Sequence, residues 1–495
     1  MASIEHLSLL IRSLSKSEKR YFKWSYPWEE GDKVYSDLYC LIEIGEFSAQ
    51  GLREKIKEKY PNSVFEPACK HLYKMLMRSL RNYESEKTID NKLSNLLCDV
   101  KILFRKGFFE LCFSEIEKAK KLALDHEKFT FYLLFARAEL QFLTNLEFPD
   151  LDESALIEKH ENINEILQQE QAINKHSSLF ELLSFRYQKK GNIRSAKDTA
   201  MLNDLLLEEY QINANKRFSS FESDKSHLRF QSDYFFMSGS PEQSLQVFEE
   251  LNLLFQKNKS LWSATPVDYI YLLHGILTNL YNMKRPDGMS YVLKELQQVP
   301  GSGGSIDLLK EHFYYFHQLG FLMIEVRIGD ALILANEYEA KFSSKIIPPN
   351  TSAAMHFRLA VLYFIDGNFS RSLKLVNSVL NTSGKFISSQ LYALGRLLHL
   401  LIHLELNNCD YLQYEIKSVE RKLKNGKKLF ELERTTLHFL KKWLNTTDYK
   451  RLLQDFDKSL AELEKNDFEG HLFAQFPFRK WLKAFSIKKT IKEIT

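Results

Sequence analysis

Apolar residues in this chain recur at three- and four-residue intervals, in stretches several helical turns long, and the stretches come in pairs. Each pair is split by a break of two to four residues. VKILFRKGFFELCFSEIEKAKKLA breaks at Gly107, YQKKGNIRSAKDTAMLNDLLL at Gly191, YFFMSGSPEQSLQVFEEL at Gly239 and LAVLYFIDGNFSRSLKLVNSVL at Gly367. Weaker breaks fall near Asn145, Pro286, Gly329, Asn408 and Thr447, so successive breaks lie roughly 38–48 residues apart. This spacing predicts helical hairpins. The apolar faces of a single hairpin cannot be buried within it, so neighbours must stack.

The logic of one unit is plain at Gly367. Leu359, Ala360 and Tyr363 share a face of the first helix, and the small Ala360 admits a close second helix. Gly367 can adopt positive φ and end the helix. Phe369 seals the turn, and Ser372 and Val376 line the inner face of the second helix. With His356 ahead of them, these residues resemble a tetratricopeptide repeat. That pattern has a large residue, Leu-small, Tyr, a turn glycine, an aromatic two residues on, a small residue and a large apolar one. Phe180, Leu183-Ser184, Tyr187, Ile193, Ala196 and Ala200 resemble it around Gly191. Leu228, Gln231-Ser232, Phe235, Pro241, Ser244 and Phe248 do so around Gly239, and Leu96, Leu103, Phe109, Cys112 and Ile116 more loosely around Gly107.

The resemblance covers most of residues 90–465 and implies a right-handed superhelical array of antiparallel helix pairs. It implies a concave surface built from the first helices, at positions ten, six and three residues before each turn glycine. Those positions hold Leu97, Lys101 and Phe104; Glu181, Phe185 and Gln188; Arg229, Asp233 and Phe236; Phe357, Val361 and Phe364. The set is apolar with scattered charge and carries no repeated Lys/Asn clamp for a peptide carboxylate. It suits an amphipathic helix or an extended peptide with apolar anchors.

Residues 147–170 break the pattern with eight acidic residues against Lys159 alone, and read as a solvated helix face or loop. PGSGGS at Pro300–Ser305 reads as a loop between hairpins.

The first 86 residues are organised differently. Ser15-Lys-Ser-Glu18 is a capping box that starts a helix through RYFKW. Further helices are expected at Lys33–Ile44, Ala49–Lys59 and Pro67–Tyr83, with Gly45 closing the first and Ser48 capping the second. The outline resembles a helix-turn-helix or winged-helix unit. In the last helix Cys69, Leu72, Tyr73, Leu76, Leu80 and Tyr83 form the apolar stripe, while Lys70, Lys74, Arg78 and Arg81 fall opposite, as phosphate contacts in a groove require. Against that reading, acids and bases in the region nearly balance, whereas DNA-binding domains carry a basic excess. A solvated face, or a cap on the array, is the simpler expectation. LSKSEKRYFK also resembles the opening of uncharacterised bacterial helical-repeat proteins, which implies no activity.

Composition agrees with an all-α chain. Glycine is 18 and proline 11 of 495 residues, about half the usual share of each. With 68 Lys and Arg against 64 Asp and Glu, the net charge of +4 points globally to neither nucleic acid nor membrane. Five cysteines, none in C-x-x-C, read as thiols in a reducing compartment. No apolar run of about 18 residues occurs, and the N-terminus lacks the apolar segment of a secretory leader, so a cytoplasmic location is expected.

Candidate chemistry is sparse. His399 and His403 could aim two imidazoles at a metal, but HLLIH lacks the Glu of H-E-x-x-H and a third ligand, so packing is the expectation. Ser13-x-x-Lys16 has neither of the motifs that accompany it in serine acyltransferases. There is no phosphate-cradling or dinucleotide glycine loop. The C-terminus interleaves Arg479, Lys480, Lys483, Lys488, Lys489 and Lys492 with Phe476, Phe478, Trp481, Phe485 and Ile487, as a terminal capping helix would. The expected organisation is an N-terminal helical region over 1–86, a repeat array over 87–475 and a basic capping segment over 476–495. The expected function is a non-catalytic scaffold or adaptor for a protein or peptide partner, without cofactor or metal. The alternative is a nucleic-acid-binding regulator with a partner-sensing array.

Overall fold

The structure, a computed structural model, describes residues 3–26, 34–45, 47–61, 65–190, 193, 200–214, 219–301, 304–343, 345–424, 430–466 and 468–494. Among them every regular element is helical and no strand occurs. No helix there is long and apolar enough to cross a membrane. The expected turn at Gly191, with Ala196, and the loop residues Ser302 and Gly303 lie outside the described residues. The chain divides into two compact units. One is Met1–Glu170 with Ser260–Pro266 and Pro300–Leu308; the other is Gln171–Lys259, Val267–Val299 and Leu309–Thr495.

The first unit opens with α1 (Ile4–Ser13), α2 (Lys16–Ser25), α3 (Val34–Ile44), α4 (Ala49–Lys59) and α5 (Phe65–Glu84). The capping box forms: the Glu18 amide donates to Ser15 Oγ at 3.2 Å, and the Ser15 amide donates to Glu18 Oε2 at 2.6 Å. Leu7 and Ile11, Phe22, Leu38 and Ile42, Leu52, and Leu72 and Leu76 supply one core from all five helices. Then come α6 (Ile89–Arg105), α7 (Phe109–Asp125), α8 (Phe129–Asn145) and the first half of α9 (Glu153–Lys190). The acidic stretch is thus mostly helix, with Glu158, Glu161 and Glu165 in solvent and Ile163 and Ile166 buried. Glu139 of α8 is buried, and Lys120 and Lys159 reach it at 2.7 and 2.5 Å. Burial raises its pKa, but the two ammonium groups outweigh that and hold the carboxyl below its usual range.

The second unit holds the rest of α9, then α10 (Asn203–Ala214), α11 (Phe221–Met237) and α12 (Pro241–Lys257). After the short α13 (Lys259–Trp262) it continues with α14 (Val267–Asn282), α15 (Pro286–Gln298), α16 (Gly304–Ile324, from Leu309 on), α17 (Ile328–Phe342), α18 (Pro349–Ile365) and α19 (Phe369–Leu380). It closes with α20 (Ser389–Glu405), α21 (Cys409–Lys424), α22 (Glu431–Trp443), α23 (Tyr449–Glu464), α24 (Leu472–Gln475) and α25 (Phe478–Ser486). Many helices adjacent in sequence pack on one another: α11 on α12, α12 on α14, α14 on α15, and α17, α18, α19, α20 and α21 in succession.

One turn recurs in both units. A helix ends, one residue takes left-handed φ, and the next amide bonds the carbonyl five residues back. Phe108→Leu103, Ser240→Phe235 and Asn368→Tyr363 close the turns at Gly107, Gly239 and Gly367 at 3.1, 2.9 and 2.9 Å. Arg285→Leu280, Arg327→Leu322 and Asn408→His403 close the same turn around Lys284, Val326 and Asn407 at 2.9, 2.9 and 3.0 Å. The weak sequence breaks near Pro286, Gly329 and Asn408 are these turns, built without glycine.

Three hairpins also share a clasp. Five residues after the turn glycine, a buried side chain of the second helix donates to a carbonyl seven residues before it. Cys112 Sγ meets Val100 O at 3.2 Å, Ser244 Oγ meets Ser232 O at 2.9 Å and Ser372 Oγ meets Ala360 O at 2.7 Å. Only small side chains let the helices come this close.

The C-terminal segment returns to earlier hairpins of its unit. Phe476, Phe478 and Trp481 are buried, Trp481 Nε1 donates to Glu405 at 2.7 Å, and Gln475 donates to Asn282 at 2.9 Å. The Lys492 amide caps Ile365 O at 3.1 Å and its ammonium meets Asp366 at 2.5 Å. Thr490 packs so near Gly367 that a Cβ there would lie 2.6 Å from its methyl.

Two outcomes follow for chemical denaturation. Val326, β-branched at φ 59°, is strained; Val326→Gly should stabilise the protein by about 1 kcal/mol. Ser372→Ala should cost about 1 kcal/mol and Ser372→Leu more, about 1–3 kcal/mol beyond it, because the helices cannot separate to admit it.

Candidate functional site

The first helices of two hairpins in the second unit, α11 and α14, border a cleft with a cavity of about 260 Å³. Its floor is Phe248, Leu251 and Phe255 of α12, and Phe180 of α9 stands at one wall. Gly275 of α14 fixes the depth. A Cβ there would sit 2.5 Å from the Phe248 ring, so no larger residue lets α12 and α14 pack as they do.

Charge lines the rim in both signs. Lys225 and Arg229 stand one turn apart on α11 and face Asp268 at the start of α14, at 3.0 and 3.8 Å. Lys225 also meets Glu222 at 2.8 Å. Burial opposes the Lys225 charge, but the two carboxylates outweigh it and raise its pKa. The Arg229 guanidinium lies 4.2 Å over the Phe180 ring, which holds it flat against the wall. One turn deeper is Asp233. Burial pushes its carboxyl up to about 6, with Arg229 only partly offsetting the shift. His274 reaches the same cleft, stacked on Phe313 at 4.0 Å and bonded through Nδ1 to His317 Nε2 at 2.7 Å. Burial, then the charge of Arg358, pushes it down to about 3, so it is neutral near pH 7. The arrangement can bind a chain carrying both charge signs and an apolar group.

The structure therefore brings together Arg229 and Asp233 from the sequence-derived set. Phe236, three residues on, is partly buried. Phe185 and Gln188 are exposed near the end of α9. In the first unit Lys101 is exposed, and Phe104 is stacked on Phe142 at 4.0 Å. Phe357, Val361 and Phe364 need correction: all three are less than 5% exposed. Helix α18 is covered by α17, α19, α20 and the returning C-terminus, where Phe476 packs edge-on against Phe364 at 5.2 Å. The partners of the cleft on α14, Asp268 and His274, were missed because no glycine marks the α14–α15 turn, so the ten–six–three count had no origin there.

Lys70, Lys74, Arg78 and Arg81 are exposed along α5, opposite the buried Cys69, Leu72 and Leu76, and make no ion pair among the described residues. Helices α3, α4 and α5 pack mutually. His399 and His403 stack edge-on 4.6 Å apart beside Tyr411, and His403 Nδ1 bonds Asn408.

Asp233→Asn tests the cleft's electrostatics. A carboxyl whose pKa rises from 3.8 to about 6 on folding penalises the folded state once it ionises. Below about pH 4 the variant and wild type should be equally stable. As pH rises through 6 the wild type should fall behind by about 1–3 kcal/mol, read from urea midpoints across the range. No protein-family model matches the chain, and neither does any curated protein or solved structure.

Proposed function

We propose that this protein is a non-catalytic, cytoplasmic scaffold whose hairpins form a right-handed superhelical array of tetratricopeptide type. It holds a protein or peptide partner in the cleft between α11 and α14. The observation that carries the reading is the rim of Lys225, Arg229 and Asp268 over an apolar floor, on the first helices that such an array would turn to its concave side. Apolar anchoring supplies affinity and the mixed charge supplies orientation. A second reading, nucleic-acid binding through α5, is favoured by its four exposed cations.

Capture from lysate with the full chain, with and without nuclease, separates the two. The scaffold reading expects nuclease-resistant partners that are lost by at least about 10-fold on Arg229→Glu with Asp268→Lys and retained on Lys70, Lys74, Arg78 and Arg81→Ala. The converse pattern, with salt-sensitive recovery of nucleic acid, supports the second reading. Partners indifferent to both sets of changes overturn both.

A further inference from the structure

Three helices of the second unit carry a polar group where their apolar stripes would otherwise continue. On α9 the buried stripe runs His176, Leu179, Leu183; on α10 it runs Leu202 (just before the helix), Leu205, Glu209; on α11 the buried Phe230 and Tyr234 follow His227 on one face. The leucines, Phe230 and Tyr234 belong to one core cluster, and the three polar residues meet at its end. One donor atom from each lies within 4.8 Å of the others. His176 and Glu209 are 1% and 0% exposed, and His227 is partly open to solvent.

The hydrogen bonds of these residues leave a specific shortage of positive charge. His176 Nδ1 lies 3.3 Å from Ala172 O, one turn back; as a donor there it leaves the ring lone pair on Nε2, the tautomer of a metal ligand with an oriented second nitrogen. His227 Nδ1 is in direct contact with Glu209 Oε1, and the Asn213 amide reaches both, at 2.9 Å from the ring nitrogen and 2.5 Å from the carboxylate. Nδ1 and Oε1 cannot meet as two bare acceptors, so either a proton on Nδ1 or a shared cation joins them; in the second case the Asn213 amide donates to the carboxylate alone. A proton on His227 would satisfy Oε1 alone. Glu209 Oε2 is buried with no hydrogen-bond partner among the described residues, which disfavours the folded state unless a further partner meets it. A divalent ion held by both imidazoles and the carboxylate meets all of these demands.

We propose that His176, Glu209 and His227 bind a divalent first-row metal ion of the Zn²⁺ class. Two imidazole nitrogens and one carboxylate oxygen are the donors such an ion prefers over Ca²⁺ or Mg²⁺, which take oxygen. Zn–ligand bonds of about 2.0–2.1 Å place tetrahedral donors about 3.3 Å apart. The three donors, from three helices, already lie within 4.8 Å of one another. Three protein ligands leave a fourth position, beside Asn213. The ion pins α9, α10 and α11 together directly behind the wall of the cleft, since Phe180 lies one turn from His176 on α9 and Arg229 two residues from His227 on α11. The site stands independently of the scaffold reading. No local motif announced it, because 33 residues separate His176 from Glu209 and 18 separate Glu209 from His227.

The test uses the full chain, stripped with a chelator and titrated with Co²⁺ and then Zn²⁺. One equivalent of Co²⁺ should give visible absorption of a low-coordinate N/O site, displaced by one Zn²⁺, and Zn²⁺ should raise the melting temperature reversibly. His227→Gln and Glu209→Gln should weaken Zn²⁺ binding at least about 100-fold while circular dichroism stays helical. In the unmutated chain, Zn²⁺ should protect His227 from diethylpyrocarbonate at least 10-fold by peptide mass mapping, on the order expected for an occupied ligand. That readout decides the matter even if a variant fails to fold. Absence of stoichiometric Co²⁺ binding, or binding that leaves His227 unprotected or survives both substitutions, overturns the proposal.

Discussion

A short hydrogen bond across the hairpin sets how closely its two helices can lie. Ser372 Oγ to Ala360 O, Ser244 Oγ to Ser232 O and Cys112 Sγ to Val100 O all span twelve residues and all are buried. The carbonyl already accepts a helical bond and has a second lone pair to offer. A hydroxyl or thiol satisfies itself there without occupying the volume of a larger apolar side chain. Large residues flank the clasp in sequence: Tyr363 and Val376 in one hairpin are buried, and in another Phe248 is buried and Phe235 partly so. The left-handed turn follows from the same geometry, since only a chain that reverses within two residues brings the second helix back at the right height.

A second constraint lies deeper in the second unit. Arg358 is buried and has no carboxylate partner among the described residues. Its guanidinium sits 4.1 Å from the Tyr281 ring and 3.7 Å from the Phe316 ring, and Nη1 donates to Phe316 O at 2.7 Å. Gly320 makes room: a Cβ there would lie 2.8 Å from Nη1 and 2.9 Å from Tyr281. Two π faces and one carbonyl stand in for an anion. Burial followed by neighbouring positive groups, Arg358 among them, keeps His274 and His317 far below their usual pKa, so both histidines serve this core as neutral hydrogen-bonding groups. The cleft beside His274 is therefore polar at its rim and uncharged at this part of its base.

The returning C-terminus ties distant parts of the second unit together. Trp481 reaches Glu405, Gln475 reaches Asn282 and Lys492 reaches Asp366, over 76, 193 and 126 residues. Apolar burial drives this and the polar contacts set its register. The basic residues of the segment stay largely in solvent, as an amphipathic helix with a packed aromatic face requires.

Helix class, the N-terminal capping box and the hairpin breaks were legible in the sequence because each depends on neighbours three to five residues apart. Glycine marked three turns outright. At Lys284, Val326 and Asn407 the same turn forms on residues that carry no local signal, because packing of the flanking helices imposes the positive φ. Half of the cleft could be read as well: Arg229 and Asp233 follow from counting back from Gly239. Asp268 and His274 could not, and Phe357, Val361 and Phe364 were misplaced for a related reason. A periodic pattern tells which side of a helix is apolar but not whether a groove or another helix covers it. Cover comes from elements remote in sequence, here the C-terminal aromatics over α18, and the convergence of His176, Glu209 and His227 from three helices is of the same kind. The sequence alone determined local helices and their pairing. Tertiary packing decided which faces remain open and which polar groups meet, because both depend on contacts whose partners no short window contains.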